Sequence, residues 1–115
     1  MNFTASWKLE LQAEIEHALQ ARSTGNDGMA RVCARRAAGI IIGEYLLRRG
    51  FANLPHSAYN RISKFTDLPD VKQQWKDIAG HFLLKVDINH ELPLDADLIR
   101  DAMWLEKTLL NDFTN

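Results

Sequence analysis

The chain has 115 residues, 46% apolar and 25% charged, with 15 acids against 14 Lys and Arg for a formal net charge of -1. These proportions suit one soluble globular domain over residues 1–115, and they exclude a globally basic nucleic-acid binder and an acidic disordered tail. The one cysteine, Cys33, excludes an intramolecular disulfide and a zinc site made from several cysteines.

In chain order, a first helix is expected to start near Thr4 or Ser6. Trp7, Leu11, Ile15, Ala18 and Leu19 share one face at helical spacing, with Lys8, Glu10, Glu14 and Glu16 mainly off it. Ser23-Thr24-Gly25-Asn26-Asp27-Gly28 is the clearest break, rich in residues that favour turns and cap helices. A second helix then runs from about Gly28 to Arg49 and stops at Gly50, which suits a left-handed position after a helix end. Its expected core stripe is Met29, Val32, Cys33, Ala37, Ile40, Ile41 and Leu47. Small residues occupy several of its faces, among them Gly39 and Gly43, each of which costs about 1 kcal/mol relative to Ala inside a helix. Close approach of a neighbouring helix would offset that cost, so this helix is expected at the centre of a bundle.

Phe51 to Pro55 reads as a loop and Ser57 to Phe65 as a short third helix with Ala58, Ile62 and Phe65 inward. Pro69 suits the entry of a fourth helix reaching about Leu84, with Val71, Trp75, Ile78, Ala79 and Phe82 as its stripe. Val86 to Leu94 reads as a connecting loop, and a last helix spans Asp95 to about Asn111 with Leu98, Ala102, Leu105 and Leu109 inward. No segment alternates with the period of a strand. The expected fold is all-α, a single-domain antiparallel bundle of about five helices.

No leader pattern opens the chain, and the longest apolar run, residues 37–42, falls far short of the ~20 residues that span a bilayer. A cytoplasmic protein without membrane contact is expected, with Cys33 a buried structural thiol. Charge divides unevenly: residues 1–61 carry eight Lys and Arg against five acids, and residues 62–115 carry six against ten. Such a split serves either attraction within one fold or orientation toward a partner.

Few residues suggest chemistry. Arg31 and Arg35 are one helical turn apart and, with Arg36, could hold a phosphate or nucleotide; the plainer reading is a solvated face paired with acids. Glu44 lies in an apolar stretch and is expected to be partly buried with a guanidinium partner one or two turns away. His17, His56, His81 and His90 have no metal-ligand spacing, and Asp87 to Glu91 lacks the glycine and the final acid of a calcium loop, so no metal and no cofactor is expected.

The Ala-rich run from Met29 to Gly39, the ending Leu46-Leu47-Arg48-Arg49-Gly50, the pair Pro55-His56 and the closing helix from Asp95 to Leu110 form a pattern. Across about residues 4 to 111 it resembles the HEPN (higher eukaryote and prokaryote nucleotide-binding) superfamily of small helical bundles. The resemblance implies either a noncatalytic partner of a minimal nucleotidyltransferase or a ribonuclease. In the ribonuclease branch an Arg is followed after four to six residues by a His, which Arg49 and His56 match. His56 would then be the general base on a ribose 2′-hydroxyl and Arg49 would stabilise the phosphorane. This chain departs from the pattern in having Gly50 where a polar residue follows the Arg, and Gly50 and Pro55 place the pair across a loop. The first expectation is therefore a noncatalytic interaction module, a homodimer and possible partner of a nucleotidyltransferase-like protein. A metal-independent ribonuclease through Arg49 and His56, and a phosphate-binding module through Arg31, Arg35 and Arg36, are the alternatives. Whether nucleic acid is bound stays open.

Overall fold

The computed structural model describes residues 6–85 and 97–110. The expected loop 86–94, with Asp87 to Glu91 and His90, lies outside the described residues, as does Phe113. Five helices occupy the described chain, with no strand: α1 (Ser6–Ser23), α2 (Asp27–Arg48), α3 (Ala58–Thr66), α4 (Gln73–Gly80) and α5 (Leu98–Leu109). None is long and apolar enough to cross a membrane.

Local chemistry sets the helix ends. After α1, Gly25 takes a left-handed φ of 81°, and the Asn26 N–H donates back to the Ala21 carbonyl at 2.8 Å. The Asn26 side chain then accepts from the Met29 N–H at 3.1 Å, capping α2. The three-residue turn 24–26 thus closes an antiparallel hairpin. At the other end of α2, Gly50 has φ 91°. Its N–H donates to Leu47 and the Phe51 N–H to Leu46, both at 3.0 Å, which is a Schellman ending. Ser57 caps α3 by accepting from the Asn60 N–H at 3.0 Å, and Asp97 caps α5 by accepting from the Arg100 N–H at 3.1 Å.

One element starts later than its sequence suggests. Pro69 does not open α4, which begins at Gln73 and gives way after Gly80 to a 3-10 turn at His81–Leu83. Asp70, which follows Pro69, pairs with Arg49. Val71 is buried ahead of the helix.

α2 is the central element, packed against α1, α3 and α5. It contributes Cys33, Ala34, Ala37, Ala38, Ile41, Ile42 and Leu46 to the core, which Ile62, Phe65, Phe82, Ala102 and Leu105 complete. The expected close approach occurs at its glycines. A Cβ on Gly39 would stand 2.5 Å from the Ala58 Cβ and 2.8 Å from its Cα, and one on Gly43 would stand 2.6 Å from Arg61 Nη1. Absent side chains at 39 and 43 let the start of α3 lie on the α2 backbone.

The expected α2 stripe needs correction. Met29, Val32 and Leu47 are exposed, at 47%, 38% and 55%. Neighbouring helices gather on the small-residue arc, where backbones can approach, and leave these larger side chains on the side no helix covers. Leu19 is also exposed, because the buried face of α1 centres on Leu11 and Ala18 and Leu19 lies about 100° further round.

Cross-chain polar contacts account for part of the charge split. Arg22 pairs with Asp97 at 3.2 Å, Arg49 with Asp70, and His81 Nδ1 lies 2.8 Å from an Asp101 carboxylate oxygen.

Candidate functional site

Two openings border the uncovered side of α2. The first is a groove of about 360 Å³ between the N-terminal turns of α1 and the start of α3. Trp7, Glu10 and Glu14 form one wall, His56, Ala58 and Arg61 the other, and Arg36, Ile40 and Glu44 belong to its floor. Its shape follows from the glycines, since Gly39 admits Ala58 and Gly43 admits the Arg61 guanidinium. Arg61 is held there by donating from Nε to the Pro55 carbonyl at 2.6 Å.

Charges in this groove are mixed. Glu44 accepts from Arg48 Nε at 2.9 Å with its side chain 18% exposed, so the expected half-buried carboxylate and its guanidinium one turn away are both present. The Arg48 guanidinium also lies over the Trp7 ring at 5.6 Å. Glu14, expected off the core face, turns inward, and its Oε1 is buried without a hydrogen-bond partner. Cys33 is buried, and its thiol is pushed above the ordinary value by burial first and then by the negative charge of Glu14. A thiol kept protonated and out of solvent is a poor nucleophile. Iodoacetamide should therefore leave Cys33 of the native protein unmodified over a period in which the denatured chain reacts completely; equal rates by mass spectrometry would show that the site opens readily.

Arg49 and His56 do not share this groove. His56 lines it, whereas Arg49 is absent from its walls. The Arg49 guanidinium is held by the Asp70 carboxylate and by the Tyr45 hydroxyl at 3.4 Å, and it lies over the Tyr45 ring at 5.7 Å. The hydrogen bond from Arg49 keeps the Asp70 carboxyl below its ordinary range. A phosphorane-stabilising role would require Arg49 to leave that carboxylate.

The second opening, about 320 Å³, lies at the N-terminal end of α2. It is lined by Gly28, Arg31, Val32, Arg35, Leu84, Lys85 and Leu98. Arg31 and Arg35 therefore do come together as the helical spacing requires, but Arg36 faces the other groove. Arg35 is fixed by donating from Nε to the Phe82 carbonyl at 3.0 Å.

Sequence reasoning missed Glu14, Arg61 and Lys85. Glu14 had a readable signal, three residues after Leu11 and seven after Trp7, which places it on the same inward arc. Arg61 and Lys85 had none, because each reaches its opening through contacts between distant segments. Among the described residues no group of three His, Cys, Asp or Glu could hold a metal ion.

Comparisons of the chain with family models, with curated proteins and with solved structures find no significant match.

Proposed function

We propose that this chain is a noncatalytic interaction module that pairs two copies through the uncovered side of α2. The observation that carries the reading is the exposed set Met29, Val32 and Leu47, with the half-buried Ile40 between them, on a helix that α1, α3 and α5 pack against elsewhere. An exposed apolar row on a central helix is a surface suited to another helix. Its charges make a second copy the fitting occupant. Arg36 and Glu44 stand four residues to either side of Ile40, on one helical row. Antiparallel packing about a two-fold axis through Ile40 brings Arg36 toward the partner's Glu44, where it would join the Arg48 already paired with that carboxylate, and repeats the contact by symmetry. A noncatalytic role is supported by the commitment of Arg49 to Asp70 and Tyr45, away from the groove that His56 lines.

Light scattering at micromolar concentration should return twice the 13.1 kDa chain mass. Arg36→Glu and Leu47→Glu should each give the single-chain mass while melting as the parent does. A parent that stays at the single-chain mass, or a pair that both substitutions leave intact, overturns the reading.

A further inference from the structure

We propose that the groove between α1 and α3 binds a small zwitterion with an apolar body, of the free amino acid class. Its two walls carry opposite charge. Glu10 and Glu14 stand one helical turn apart on the α1 wall, and His56 and Arg61 line the wall on the side of α3. Between them Ile40 and Leu47 of α2 give an apolar floor. The volume of about 360 Å³ lies within the range of small-ligand sites, which combine apolar lining with a few placed polar groups. Every lining residue is among those described, and residues 1–5, which lead into the α1 wall, hold no charged side chain.

Two of these charges are half-buried, oppose each other across the groove and do not meet. Glu14 has its Oε1 out of solvent with no hydrogen-bond donor, so that oxygen has lost its water without gaining a partner. Arg61 is fixed by its Nε bond to the Pro55 carbonyl at 2.6 Å, with Nη1 over Gly43. Arg22, Arg48 and Arg49 each hold a carboxylate, whereas none among the described residues pairs with Arg61. The Glu44 carboxylate, also in the groove, is already taken by Arg48 at 2.9 Å. Packing of α1 and α3 on α2 thus holds Glu14 and Arg61 apart, and a zwitterion satisfies both. Its ammonium donates to Glu14, whose carboxylate turns readily about its last torsion. Its carboxylate accepts from the Nη groups of Arg61, as a charge-assisted pair. Both contacts form where screening is weaker than in open water, and an apolar side chain rests on Ile40 and Leu47.

Titration calorimetry of the whole chain with L-leucine, isoamylamine and isovalerate separates the parts. L-Leucine should bind at least tenfold more tightly than either half-molecule, and Glu14→Gln and Arg61→Gln should each weaken it about tenfold. Arg61→Lys, which keeps the charge and loses the fork, should recover only part of the loss. Glu14→Gln should melt no lower than the parent, which a carboxylate that merely braced the fold would not allow. Glu16→Gln, exposed on α1 outside the groove, should bind as the parent does. Ile40 and Leu47 also belong to the proposed pairing face, so the titration is made on the parent and on Met29→Glu, an exposed α2 position outside the groove whose charge opposes pairing. Equal binding by both, or binding by the variant alone, supports the site. If pairing itself fails, both samples have the 13.1 kDa mass and the titration still reads the groove. No binding of millimolar L-leucine by either overturns the proposal, as does binding that Glu14→Gln and Arg61→Gln both retain. Isoamylamine binding as tightly as L-leucine overturns the role of Arg61.

Discussion

Replacing Phe65 with Ala is expected to lower the free energy of unfolding by about 3–5 kcal/mol, the range for emptying a large aromatic site in a packed core. Phe65 is fully buried and meets Tyr45 edge-on with ring centroids 5.6 Å apart. It also carries more than its own contacts. α3 has nine residues, too few to persist as an isolated helix, so its stability comes from docking Ile62 and Phe65 on α2. Domains of this size have about 5–15 kcal/mol in total, and the truncated chain should be close to unfolding at physiological temperature. Urea denaturation followed by circular dichroism measures the loss. Tyr59→Ala, at an exposed position on the same helix, should stay within about 0.5 kcal/mol. A loss below about 1 kcal/mol at Phe65 would mean that α3 is not anchored by this ring.

The second large effect separates two glycines of one helix. Gly39→Ala should destabilise the protein by about 1–3 kcal/mol, although Ala is favoured over Gly in a helix by about 1 kcal/mol. The new methyl would meet Ala58 at both Cα and Cβ, and those atoms can yield only if the beginning of α3 moves. Gly43→Ala meets the Arg61 side chain instead, at Nη1, Cζ and Cδ. A guanidinium can swing aside, giving up its bond to the Pro55 carbonyl, while the helix gains propensity. These changes should cancel to within about 1 kcal/mol. Thermal unfolding of both variants decides the matter; equal losses would show that both contacts are equally rigid.

Much of this architecture is legible in the residues themselves. The turn at Gly25 and Asn26 and the stop at Gly50 are written in residues that local backbone geometry requires, so the α1–α2 hairpin and the all-α class follow from local rules. Gly39 and Gly43 signal a close neighbour without naming it. The faces of α2 are less legible because hydrophobicity ranks Met29, Val32 and Leu47 above Ala34 and Ala38, whereas helix approach favours the smaller set. α4 starts at Gln73, not at Pro69, and no side-chain cap marks that start in the sequence. The same limit applies to the sites. Spacing alone brings Arg31 and Arg35 together and puts Glu44 beside Arg48. It also places Arg49 within reach of His56 on paper, and there the carboxylate of Asp70 decides otherwise.

The turn 24–26 also bears on the order in which the chain assembles. Docking α1 on α2 closes a loop of only three residues, whereas bringing α5 to α2 first requires the 49 residues of segment 49–97 to be looped back. Loop-closure entropy makes the longer search costlier by roughly 2 kcal/mol if that segment is still unstructured. The α1–α2 hairpin is thus the helix pairing that costs the least loop-closure entropy, and substitutions that weaken it are expected to slow folding more than substitutions in α5.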